Sequence, residues 1–164
     1  MRIYDGSPRQ DWEEVLRSVG SWCDHEGLKD VLMLELEGGF LIQGLQAVHA
    51  GAWAESAGSM SKRILELTDD RIAELVDEAS QRRGSVKENA PVPGPQNYYE
   101  QSMRIIGRYL ENEKPRDLFL FEQGGSYVVR TLVGGAAGGI SHQLAEFTRD
   151  ELLAMIEAAP GDRR

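Results

Sequence analysis

The chain is poor in the residues that make the commonest site chemistries. It has one cysteine, Cys23, in 164 residues, so no intrachain disulfide can form and a reducing, cytoplasmic setting is expected. Its three histidines, His25, His49 and His142, fall in no metal-ligand spacing. No serine or cysteine sits in a recognisable nucleophile motif, so neither a metal nor a cofactor is expected and catalysis is the less favoured class. No apolar run approaches the roughly 18 residues of a membrane helix, and Val31–Leu34 is only strand-sized. The opening residues MRIYDGSPRQDWEE lack the apolar centre of a secretion signal. Cations are also scarce: 18 Lys and Arg stand against 27 Asp and Glu, a formal charge of −9. The deficit lies mostly in residues 1–84, with 9 basic and 16 acidic side chains. An acidic field repels phosphate backbones and attracts basic partners. Nucleic acid is therefore an unfavoured partner, and no membrane partner is expected.

What the chain does contain is an ordinary globular composition, 41% hydrophobic and 27% charged, arranged twice. Sliding the sequence by 87 places lays residues 8–45 over 95–132 without a gap, and nine of the 38 positions are identical. Among them are Glu13/Glu100, Arg17/Arg104, Gly20/Gly107, Asp30/Asp117 and Glu35/Glu122. Chance would give about two or three at ordinary residue frequencies. Chemically matched pairs add to this: Trp12/Tyr99, Trp22/Tyr109, Phe40/Tyr127 and Ile42/Val129. A second match, at a shift of 80, lays Ser61 and Glu66–Asp70 over Ser141 and Glu146–Asp150. The reading is a tandem duplication with repeats at 1–84 and 95–164 and a proline-containing linker at 85–94, the two repeats forming one globule.

Each repeat opens with an amphipathic helix. Trp12, Val15, Leu16, Val19, Trp22 and Cys23 recur at helical spacing, as do Tyr99, Met103, Ile106, Tyr109 and Leu110. Ser7, Pro8 and Gln10 predict the first helix start. Gly20 and Gly107, mid-helix at the border of that face, suggest a close backbone neighbour, because glycine there costs about 1 kcal/mol relative to alanine. Two apolar runs around a Gly-Gly pair then predict a hairpin in each repeat. The pairs are one residue out of step, so the two turns should differ. A third strand is expected at Lys62–Leu67 and His142–Phe147, followed by a helix capped at Thr68 or Thr148. The inner faces of these helices read Ile72, Leu75, Val76, Ala79 and Leu152, Met155, Ile156, Ala159. The fold class is α+β: two α-β-β-β-α units, antiparallel sheets with flanking helices, in a pseudo-twofold arrangement.

The first strand of each unit is apolar on both faces. Alternation predicts Leu32, Leu34, Phe119 and Phe121 against the helices, with Val31, Met33, Leu118 and Leu120 pointing away. A sheet covered on one side should show a polar outer face. The second face therefore needs a cover: the other repeat, packed sheet to sheet, or a second chain in a homodimer.

Candidate sites follow from that arrangement. Glu35 and Glu122 would approach each other across the pseudo-axis, where paired carboxylates can hold a metal or a proton; as solvated strand ends they would do neither. The run Gly134–Gly139 is glycine-rich, as phosphate-cradling loops are, but it has neither the dinucleotide nor the Walker spacing. The 46–61 loop is the largest departure from internal symmetry, and its His49 and Trp53 are candidate binding residues. Lys62, Arg63 and Arg130 would have to share one surface for the sheet to bind a single strand. Cys23 and Tyr99 read as core residues and Tyr98 as exposed.

The expected function is a non-catalytic interaction module that binds a protein or small ligand at the groove between repeats or at the 46–61 loop. Two alternatives stand beside it. One is a single-stranded nucleic-acid binder using the sheet. The other is an enzyme or metal or small-molecule binder with Glu35 and Glu122 at the repeat interface.

Overall fold

A computed structural model of the chain describes residues 11–47, 60–85, 98–113, 115–134 and 138–158. The elements run α1 (Trp12–Glu26), β1 (Leu28–Leu36), β2 (Gly39–Ala47), β3 (Met60–Thr68), α2 (Asp69–Ser85), α3 (Tyr98–Glu113), β4 (Arg116–Gln123), β5 (Ser126–Gly134), β6 (Ile140–Phe147) and α4 (Arg149–Ala158). The described residues form an α+β fold of four helices and one six-stranded antiparallel sheet in the order β3-β2-β1-β4-β5-β6. The strands thus form a single layer, not two sheets packed face to face. The seam is β1 against β4, where Leu32 pairs with Phe121, Met33 with Leu120 and Leu34 with Phe119.

Helix ends follow local chemistry. α1 starts at Trp12, with Asp11 accepting from the Glu14 backbone N–H at 2.7 Å. The cap is therefore Asp11, whose carboxylate is a favourable acceptor at the positive end of the helix; Ser7, Pro8 and Gln10 lie outside the described residues. Gly27 closes α1 in the left-handed region (φ 66°). Thr68 accepts from the Arg71 N–H. At α4 the capping box is complete: the Glu151 N–H donates to Thr148 Oγ1 and the Thr148 N–H donates to a Glu151 carboxylate oxygen. The two hairpin turns do differ. Gly124-Gly125 has positive φ at both positions (61° and 89°), whereas in the Glu37-Gly38 turn neither residue does.

One continuous core lies between the helices and one face of the sheet. It contains Trp12, Leu16, Val19, Cys23, Met103, Ile106 and Leu110 from α1 and α3, and Val31, Met33, Phe40, Ile42, Leu118, Leu120, Tyr127 and Val129 from the sheet. Each such side chain contributes about 1.5–3 kcal/mol by leaving water. α2 and α4 join from the flanks through Ile72, Leu75, Val76, Leu152 and Ile156. Met155, assigned to the inner face by periodicity, is 42% exposed, because a ten-residue helix at the rim buries only a narrow stripe. Ala159 lies outside the described residues.

The two faces of the central strands are the reverse of the sequence expectation. Val31, Met33, Leu118 and Leu120 are buried under the helices, while Leu32, Leu34, Phe119 and Phe121 turn to the other side and are only partly covered. Alternation cannot choose between two apolar faces. The outer strands decide it: Gln43 pairs with Leu32 and Arg130 with Phe119, and Glu66 and Glu146 join the rows of Leu34 and Phe121 through their own partners Leu41 and Val128. All four described helices lie on the opposite face.

Candidate functional site

α1 and α3 cross in close contact, and both helical glycines are there for that reason. A Cβ on Gly20 would fall on the Tyr99 carbonyl and 2.9 Å from Glu100 Cα; one on Gly107 would fall on the Trp12 carbonyl and 2.7 Å from Glu13 Cα. Each helix also serves the start of the other. Asp24 of α1 accepts from the Tyr99 and Glu100 N–H groups at 3.1 and 2.9 Å, and Glu111 of α3 accepts from the Glu13 N–H at 3.3 Å. Burial pushes the Asp24 carboxyl up to about 7, against the two N–H donors that favour its ionised form. Glu111 is raised in the same direction by burial. Arg17 pairs with Glu100 at 3.2 Å and buried Arg104 with Glu13 at 3.5 Å.

Glu35 and Glu122 are not brought together. Asp30 and Asp117 adopt left-handed φ (50° and 53°) in bulges that interrupt β1 and β4. The N–H that follows each bulge is accepted by a glutamate across the seam: Leu118 N–H by Glu35 at 2.9 Å and Val31 N–H by Glu122 at 3.3 Å. The two acids stand at opposite ends of the seam, about four residues or roughly 13 Å of strand apart. Glu122, 5% exposed, also accepts from the Tyr99 hydroxyl at 2.5 Å and the Gly125 N–H at 2.8 Å. Burial raises the Glu35 carboxyl. Neither acid is a solvated strand end; both complete backbone hydrogen bonding where the ladder is broken. Tyr98, expected to be exposed, is half-buried beside Tyr127, with its hydroxyl donating to the Gly125 carbonyl.

The remaining candidates divide. His49 and Trp53 lie outside the described residues. Gly134 ends β5 and Ile140 begins β6, so a strand follows the glycine run where a phosphate-cradling loop would lead into a helix. Arg63 points to the helix side and binds Glu26 at 3.2 Å and Gln46 at 3.0 Å. By register Lys62 and Arg130 face the other way, so the three cations do not share a surface. Cys23 is fully buried, and burial pushes its thiol far above the ordinary value, which makes it a core residue without thiolate reactivity.

What the structure does assemble is the open face of the sheet. Its two central rows read Glu66, Leu41, Leu34, Phe119, Arg130, Leu144 and Ile64, Gln43, Leu32, Phe121, Val128, Glu146 across the six strands. Eight of these twelve are apolar. Ile64 and Leu144 are 56% and 75% exposed. The Arg130 guanidinium lies 5.4 Å from the Phe119 ring centroid, a cation–π contact that holds the ring on the surface. An apolar patch that spans a whole sheet is larger than solubility alone explains. Sequence alternation predicts a second apolar face but puts Val31, Met33, Leu118 and Leu120 on it, where the structure has Leu32, Leu34, Phe119 and Phe121. Comparison with protein-family models, with the curated proteins and with solved structures finds no match.

Proposed function

We propose that this chain is a non-catalytic interaction module, a fused pair of α-β-β-β-α units related by a pseudo-twofold axis, which binds a polypeptide partner on the open face of its sheet. The observation that carries the reading is the double row of Leu32, Leu34, Leu41, Phe119, Phe121 and Val128, with no described helix over it. The sheet runs unbroken across the β1–β4 seam, so the binding surface is this face in place of a groove between repeats.

The fusion is supported by contacts that recur at an offset of 87. Gly20 against Tyr99 matches Gly107 against Trp12, Arg17 with Glu100 matches Arg104 with Glu13, and Glu35 with Leu118 matches Glu122 with Val31. Met33 and Leu120, themselves 87 apart, pair with each other at the seam. Fusion makes physical sense because a unit of about 75 residues buries too little surface to be stable alone.

A second reading, single-stranded nucleic-acid binding, draws on Phe119 and Phe121 beside Arg130 as a stacking platform. It is weaker, because Arg63 is spent on Glu26 and because Glu66 and Glu146 share the face.

The test is a photoreactive phenylalanine analogue in place of Leu34, Phe119 or, as the helix-side control, Glu78. Irradiation in cell extract should give polypeptide adducts from the first two positions and none from the third. Equal adducts from all three, or none from any, would remove the proposed surface.

A further inference from the structure

We infer that the occupant of the open sheet face is a second copy of this chain, so that two six-stranded sheets stack into a sandwich with the helices outside; the inference rests on the interaction reading above and names its partner. The first argument is area. Six strands at about 4.8 Å spacing and eight residues at about 3.3 Å give an outline of roughly 29 by 26 Å, about 750 Å². A stable interface of standard size needs about 800 Å² from each partner. The face is thus sized for one whole copy of itself, and it is larger than a single helix or strand would cover.

The second argument is charge. The chain as a whole carries −9, yet the register positions on this face place Lys29, Lys62, Arg130 and His142 beside Glu66 and Glu146, with Asp30 and Asp117 in the bulges at its margins. The face is close to neutral on a strongly acidic molecule. Two copies can therefore meet here without opposing like charge, whereas a basic partner is drawn to the acidic helical side.

The third argument is shape. A twofold contact requires a patch that matches itself. The phenyl rings of Phe119 and Phe121 stand on β4, and the smaller Leu32 and Leu34 stand beside them on β1. A twofold axis parallel to the seam lays each copy's β4 over the other's β1, large side chains onto smaller ones, as interdigitated sheets pack at about 10 Å.

The experiment is the solution mass of the full chain by light scattering and sedimentation velocity at micromolar concentration, with Leu34→Glu and Phe119→Glu beside it. The expected result is a mass twice the 18.3 kDa of one chain for the parent, and single-chain mass with unchanged far-ultraviolet circular dichroism for both variants. Should the variants fail to fold, the photoreactive analogue at position 34 in the purified protein supplies the second measurement, and the expected adduct has the mass of two chains. A parent of single-chain mass overturns the inference, as does a dimer that persists in both folded variants. If the parent is a monomer and position 34 captures another polypeptide from extract, the interaction reading survives without the dimer. If it is a monomer and captures nothing, both fall.

Discussion

Asp24 of α1 accepts a 2.9 Å hydrogen bond from the backbone N–H of Glu100, at the start of α3. A helix N-terminus leaves its first N–H groups without internal partners, and here the partner is carried by the other helix, 76 residues away. The Asp24 carboxyl is held near 7 by burial. Its affinity for a proton is therefore higher in the folded than in the unfolded chain. A carboxyl with a raised folded pKa favours the native state most below its unfolded value, and that advantage is lost as pH rises through 7. Half-buried Glu35 and Glu111 act in the same direction. Stability measured by urea unfolding should fall between about pH 4 and pH 7, and Asp24→Asn should flatten that fall. A profile that rises with pH over this window, or that is identical in the variant, contradicts the assignment.

The glycine contacts carry a prediction of opposite sign to helix propensity. Gly20→Ala and Gly107→Ala each gain about 1 kcal/mol of intrinsic helix preference. Each also places a methyl on the backbone of the crossing helix. Backbone cannot swing aside as a flexible side chain does, so the helices must separate, and overpacking of this kind costs about 1–3 kcal/mol beyond the propensity gain. Both variants should unfold at lower urea concentration than the parent. A more stable variant would mean that the helices do not cross at these residues.

These glycines were legible in the sequence, since their recurrence without a turn to explain them predicted a close neighbour. The element order was legible too, because periodicities of 3.6 and 2 alternate cleanly along both halves. The face assignment was not. Leu32 and Met33 are equally apolar, and only the register to Gln43, Glu66 and Arg130 shows which of them looks outward. Nor could sequence show that β1 pairs with β4 edge to edge, because side-by-side and face-to-face pairing both bury Met33 and Leu120. The roles of Glu35 and Glu122 were beyond reach for a related reason. They depend on the left-handed bulges at Asp30 and Asp117, and no local pattern announces these.

Glu122 should matter more than Glu35. It accepts from Tyr99, Gly125 and Val31 and is buried, whereas Glu35 is half-buried and accepts from Leu118. Glu122→Ala would leave several buried donors without an acceptor, each of which costs about 1–3 kcal/mol. We expect a loss of about 2–4 kcal/mol for Glu122→Ala and about 1 kcal/mol for Glu35→Ala by chemical denaturation. Equal losses would mean that the two carboxylates are interchangeable, against the network described.

The nucleic-acid reading can be bounded before it is tested. Among the described side chains, the exposed face offers Lys29, Lys62 and Arg130 as cations fixed by register, so a bound single strand would neutralise about three phosphates there. For single strands the dependence of log K on log salt has a slope of about −0.7 per phosphate, so three contacts give roughly −2. That weak electrostatic term works against a chain of net charge −9. A fluorescent single-stranded oligonucleotide should therefore show no binding at about 50 mM salt, where a dedicated binder with more contacts would be near saturation. Binding at that salt with a slope near −2, abolished by Arg130→Ala, would establish the sheet as a nucleic-acid surface. Binding with a much steeper slope would draw on cations beyond those that the described side chains place on this face.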